Sequence, residues 1–180
     1  MMHDVRMDHF SLTSHFSPAE LSALRLSGEI NQDHDFWDEV QNWRTRSRKI
    51  LQQERHPVVL TGISAVWALG LCKEPNTHTA STVTVRRIRR AVHHNLDIEE
   101  RTLASTDVWL DSTCGITTPL RTTIDLLRSG YMNDQLVQDL CKNVMSAHEI
   151  SQETILRKLN NMISVPNKRT ALRRAQELDI

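Results

Sequence analysis

In the stretch GITTPLRTTIDLLRSG, residues 115–130, Leu120, Ile124 and Leu127 recur at helical spacing. That spacing predicts a helix with one apolar face, turned toward a sheet. Thr118 is placed to cap it, Pro119 takes the first helical position, and Gly130 offers a left-handed stop. Arg121 and Asp125 stand four apart on this helix and can meet along its surface, where an exposed pair contributes about 0.3–0.5 kcal/mol.

The same periodicity appears upstream. Ser17, Pro18 and Glu20 open a short helix that ends near Gly28. Phe36, Val40, Trp43, Ser47, Ile50 and Leu51 predict a second helix, from Asp35 to Arg55, stopped by Pro57. Val58 to Leu60 reads as a short strand. Thr61 then caps a helix whose apolar side uses Ile63, Val66, Trp67 and Leu69, and Gly70 ends it. Beyond Thr77 the pattern shortens to two. HTASTVTV alternates as a strand does, and further strands are expected at Ala91 to Leu96, Asp107 to Leu110 and Ile116 to Thr117.

The last third returns to helical spacing. Asn133 caps a helix with Leu136, Val137, Leu140, Cys141 and Val144 inward. Ser151 caps the next, with Leu159, Met162 and Ile163 buried, and Asn167 a third, with Ala171, Leu172, Ala175 and Leu178 inward. The expected class is therefore α+β: a small mixed β-sheet covered by helices, with helical N- and C-terminal segments. The segments are 1–56, a helical N-terminus; 57–130, an α/β core; and 131–180, a helical C-terminus, all in one domain.

Composition narrows the function classes. Lys+Arg and Asp+Glu are equal at 22 each, so the chain as a whole is not drawn to polyanions, and any anion contact must come from local clusters. The three cysteines, Cys72, Cys114 and Cys141, are too scattered for a disulfide framework or a zinc site. No long apolar run is present and the first ten residues are polar, so the expected setting is cytoplasmic, away from any membrane.

Catalytic motifs are weak. Gly62-Ile63-Ser64-Ala65-Val66 lacks the closing glycine of a nucleophile elbow, and Ser64 reads as a residue of a helical first turn. His93 and His94 on a strand would point to opposite faces, so they cannot grip one ion. No metal, cofactor or catalytic residue is expected. Two basic clusters remain: Arg86, Arg87, Arg89 and Arg90 after a strand, and Lys168, Arg169, Arg173 and Arg174 in the last helix. Such clusters suit phosphate contacts or an acidic protein partner.

The order of motifs resembles the AbiEi family, antitoxins of type IV toxin–antitoxin systems from bacteria. Ser64, Ala65, Trp67 and Gly70 match a strand-to-helix pattern of that family. Thr117, Pro119, Arg121, Thr122, Asp125 and Leu126 match its T-x-P-x-R-T-x-x-D-L run, and Pro166, Lys168, Arg169 and Leu172 its terminal helix. The resemblance implies a non-enzymatic regulator that binds DNA to repress its own promoter and counters a nucleotidyltransferase-like toxin. It also implies an N-terminal winged helix, but the segment before Pro57 offers two helices and no wing hairpin. DNA, a toxin, or both therefore stand as partners. A protein-interaction module without DNA affinity and a degenerate nucleic-acid enzyme are the alternatives.

Overall fold

In the computed structural model the described residues are 43–178, apart from 55, 84–94, 100, 102 and 164. The chain divides into two units, Met1–Asn42 and Trp43–Ile180, and every described residue belongs to the second. The helix expected after Ser17, the start of the Asp35 helix, and the predicted strand positions 91–94 lie outside the described residues.

A five-stranded mixed sheet forms the centre. Its strands are β1 (Val58–Leu60), β2 (His78–Thr82), β3 (Leu96–Glu99), β4 (Val108–Asp111) and β5 (Cys114–Thr117), in the order β3-β2-β1-β5-β4. β1 runs antiparallel to β2 and parallel to β5; β2 and β3 are parallel, and β4 and β5 antiparallel. The central strand β1 is buried at all three residues, as a strand covered on both faces should be. Hence its unbroken Val-Val-Leu run, where a one-sided strand would alternate.

Register sorts the side chains. Val58, Leu60, Ala80, Cys114 and Ile116 share one face and join a core with Leu51, Ala65, Trp67 and Ala68. Two helices supply those last residues: α1 (Trp43–Leu51) and α2 (Gly62–Ala68). Gly115 lies between Val59 and Leu110 in register. A Cβ there would lie 2.2 Å from the Trp109 carbonyl oxygen, so only glycine fits this approach. Gly70 ends α2 as expected, in the left-handed region at φ +81°.

The helical layer contains α3 (Pro119–Leu127), α4 (Asp134–Ala147), α5 (Gln152–Asn161) and α6 (Lys168–Gln176). Its core gathers Ile124, Leu126, Leu127, Val137, Leu140, Cys141, Val144, Ile155, Leu159, Ala171 and Ala175, with Val66 from α2. The α3 helix packs chiefly on α2, α4, α5 and α6. It does not turn its apolar side to the sheet, whose core is shared with α1 and α2, but to the later helices and Val66.

Local signals fared unevenly. Thr118, Asn133 and Ser151 cap as expected, each accepting a bond from the backbone N–H three residues on. Thr61 does not cap α2; its carbonyl instead accepts from the Thr79 hydroxyl at 2.8 Å, stitching the helix start to β2. Gly130 is not left-handed, since α3 closes at Arg128 in right-handed geometry. Asn167 takes φ 59° without capping, and its amide donates to the Arg128 carbonyl at 3.0 Å. Leu136 is exposed, and Ile163, 86% exposed, stands on the surface beyond the end of α5. No described helix is long and apolar enough to cross a membrane.

Candidate functional site

The run Thr117–Leu127 is the best-connected polar stretch in the described residues. The Thr117 and Thr122 hydroxyls lie 2.7 Å apart, and Thr122 also donates to the Thr117 carbonyl. The Thr123 hydroxyl donates to the Pro119 carbonyl at 2.9 Å, which satisfies it inside the helical layer. These contacts lock the end of β5 to the first turns of α3.

Arg121 and Asp125 form the expected pair, but it is buried and not on the surface. Arg121 Nε donates to both carboxylate oxygens of Asp125 at 3.1 Å, and its Nη1 donates to Asp107 Oδ2 at 2.8 Å. Asp107 sits at the end of a 3-10 turn, Ser105–Asp107, immediately before β4. Its other oxygen accepts from Lys158 Nζ, on α5, at 3.0 Å. Arg101 and Arg128 approach Asp125 Oδ1 at 3.4 and 3.6 Å, and Arg101 is held by Glu99. The cluster joins the segment after β3, the segment before β4, α3 and α5. The expected exposed pair became buried because partners distant in sequence converge on it.

The electrostatics follow from that packing. Burial pushes the Asp107 carboxyl up, but hydrogen bonds from Lys158 and Arg121 more than offset it and hold it below its ordinary 3.8. Burial works against the Arg121 charge, yet Asp125 and Asp107 together favour it.

The strand-to-helix motif is also structural. The Ser64 hydroxyl accepts from the Thr79 backbone N–H at 2.8 Å, tying α2 to β2. Trp67 is buried and packs on the His78 ring at 4.9 Å between centroids. Gly70 lies against the Arg46 guanidinium, which donates to the Trp67 carbonyl at 3.1 Å, so a side chain there would displace this cap.

His78 is buried and its Nδ1 has no hydrogen-bond partner. Burial holds its imidazole below the ordinary 6.5, with Glu74 pulling the other way; burial also lowers His148. The unfolded chain therefore takes up protons near pH 6.5 that the folded chain refuses. Stability should fall as pH drops through 6.5 and level off below the folded values. Asp107 acts lower, its contribution present above pH 3.8 and lost as pH falls through its depressed folded value. Urea midpoints between pH 8 and 5 check the histidine part, and His78→Gln should flatten that slope.

The C-terminal basic residues divide. Arg174, 5% exposed, donates to the carbonyls of Leu127 at 3.0 Å, Ser129 at 2.7 Å and Met132 at 3.2 Å, and pairs with Asp134. It caps the C-terminus of α3 from another helix, so it is not a surface contact as expected from sequence. Arg173 pairs with Asp134 at 2.6 Å and Glu177 at 2.9 Å. Lys168 donates to the Asn160 and Met162 carbonyls at the end of α5. Arg169 is exposed. Arg86, Arg87, Arg89 and Arg90 lie outside the described residues.

The outer strand β4 shows a different surface. Trp109 is 37% and Leu110 43% exposed, and no described strand pairs with β4 on its far side. Trp109 lies 6.1 Å from the Trp43 ring and 6.2 Å from the His148 ring. Sequence periodicity gave no sign of this aromatic group, since its members come from α1, β4 and the end of α4. Among the described residues no group of three or more His, Cys, Asp or Glu is placed to hold a metal, and the three cysteines are unpaired.

Fold and cluster define the class: an α+β protein whose five-stranded mixed sheet carries a helical layer, fastened by a buried Asp–Arg–Asp bridge. Beyond that class, a scan of protein-family models finds no match, and comparisons with curated proteins and with solved structures find none either.

Proposed function

We propose that this is a regulatory binding protein of the AbiEi-antitoxin kind, acting in the cytoplasm through contact with another protein, a nucleotidyltransferase-like toxin. The observation that carries the preference for a protein partner is the engagement of the basic C-terminal residues. Lys168 and Arg174 fasten helix ends within the helical layer, and Arg173 is paired with Asp134 and Glu177 at the surface. Phosphate-backbone binding needs cations that exchange counterions for phosphates. Arg169 alone of that cluster is exposed with no ion pair to another described residue. The exposed Trp109 and Leu110, beside Trp43, have the aromatic character that concentrates at protein interfaces. In this reading the Arg121–Asp125 run is scaffold, keeping β4 and its aromatic side chains in place.

Fluorescence anisotropy with a duplex from the region upstream of the coding sequence separates the partners. The expected result is weak binding, about 10⁻⁴–10⁻⁶ M at physiological salt, unchanged by replacing Arg173 with Gln. A toxin complex should weaken about tenfold or more in Trp109→Ala, the usual scale for a central aromatic. Tight DNA binding that falls about 10³-fold or more between 50 and 200 mM salt would instead assign the function to DNA.

A further inference from the structure

A cleft of about 720 Å³ opens between the end of α1, the loop before β2 and the start of β3. Sites for small ligands usually enclose about 300–1,000 Å³. One of its lining side chains lacks the bonds its chemistry calls for. His78 is 4% exposed. Burial keeps its imidazole neutral at pH 7, with one N–H to donate and one lone pair to accept. Its Nδ1 has no partner, and its Nε2 stands 3.4 Å from Glu74 Oε1, longer than a well-made bond of about 2.7–3.2 Å. The other Glu74 oxygen has Lys49 Nζ at 3.5 Å. Both contacts are long and the Glu74 side chain is about half exposed, so the carboxylate is free to move aside for an incoming group.

The rest of the lining says what that group is. Gln53, Asn76 and Asn95 bring carboxamides that make no hydrogen bond to another described residue. Each offers two donors and an acceptor. The two charged lining residues, Lys49 and Glu74, are of opposite sign, so an ion gains no net attraction there. No Phe, Tyr or Trp lines the cleft, and the His78 ring is already packed on Trp67, so a flat base finds no face to stack on. Hydroxyl groups suit the lining better. Each donates once and accepts twice, and so can bond to a carboxamide, a carboxylate and a neutral imidazole together. Ile50 and Leu96 supply apolar surface for the C–H side of a ring.

We infer that this cleft binds a neutral sugar ring, whose hydroxyls bond to His78, Glu74 and the carboxamides of Gln53, Asn76 and Asn95. The ring is a free monosaccharide or the ribose of a nucleoside. The inference goes beyond the regulatory reading and does not rest on it, since β4 and Trp109 stand at the opposite edge of the sheet from β3.

Saturation-transfer-difference NMR on the full chain tests it with four probes: D-glucose, D-ribose, adenosine and adenine. At least one sugar-bearing probe should bind saturably, with a Kd of about 1 mM or tighter. Gln53→Ala and Asn95→Ala should each weaken it about fivefold, as the loss of one neutral hydrogen bond does. Gln135→Ala, which removes an exposed carboxamide on α4, should not change it. The His78 ring nitrogens, followed by long-range ¹⁵N correlation, should shift as the probe saturates. Far-UV circular dichroism confirms that each variant is folded. Binding of glucose or ribose assigns the cleft to a free sugar, and binding of adenosine alone, with adenine much weaker, assigns it to a nucleoside ribose; both support the site. Four results overturn it: no saturable binding of a sugar-bearing probe, adenine as tight as adenosine, equal binding in wild type and both folded variants, or saturation that leaves the His78 nitrogens unmoved.

Discussion

Replacing Arg121 with alanine should destabilise the protein by about 3–5 kcal/mol, the cost of removing one partner from a buried ion pair. The expectation comes from what is left behind. Asp125 would keep only the longer contacts of Arg101 and Arg128, and Asp107 only Lys158. A buried carboxylate without hydrogen bonds is among the most costly groups a core can hold. Burial raises the Asp125 carboxyl above its ordinary 3.8 even with Arg121 beside it, and losing that cation raises it further, so the loss should be larger at high pH and shrink in acid as the carboxyl takes up a proton. Equilibrium urea unfolding at pH 7 and pH 4.5 measures both numbers. Arg121→Met should not rescue the loss, because its volume fills the space but supplies no donor.

Arg174→Ala should cost nearly as much, about 3–4 kcal/mol, for a different reason. Each hydrogen bond from a charged donor contributes about 1.5–3 kcal/mol, and Arg174 donates to the carbonyls of Leu127, Ser129 and Met132. Those carbonyls end α3 and begin the link to α4, and no other described side chain donates to them. The melting temperature should drop by roughly 10 °C for a chain of this size. Arg173→Ala is the control. That side chain is half exposed and its pairs lie in solvent, so its removal should leave the melting temperature unchanged within error.

The contrast between these two neighbouring arginines shows what the sequence could and could not convey. The caps at Thr118, Asn133 and Ser151 are local, each a side chain reaching three residues along its own chain, and their types and spacing are enough to read them. So are the helices they open and the buried Val58–Leu60 strand. Arg173 and Arg174 look alike as letters. Their fates differ because Leu127 and Ser129 stand more than forty residues away, beside one of them only. The Arg121–Asp125 spacing was legible as a pair, but its burial was not: Asp107 and Lys158, fourteen residues before Arg121 and on α5, complete it.

The same limit explains the apolar misreadings. Leu136 and Ile163 have the right period and the wrong place, because helical spacing marks a stripe without fixing where the stripe ends. The α3 face was expected on the sheet, yet the sheet side is filled by α1 and α2, and α3 found its neighbours among the later helices. Parallel pairing of β1 with β5 joins residues more than fifty apart, which no local pattern encodes.

A double-mutant cycle on Arg121 and Asp125, read by urea unfolding, tests the central claim that this polar run is a buried structural bridge. The account predicts that Arg121→Ala and Asp125→Ala together cost at least about 1 kcal/mol less than the sum of the single losses, since either change alone orphans the other partner. Additive losses, each below about 0.5 kcal/mol as for an exposed pair, would contradict it.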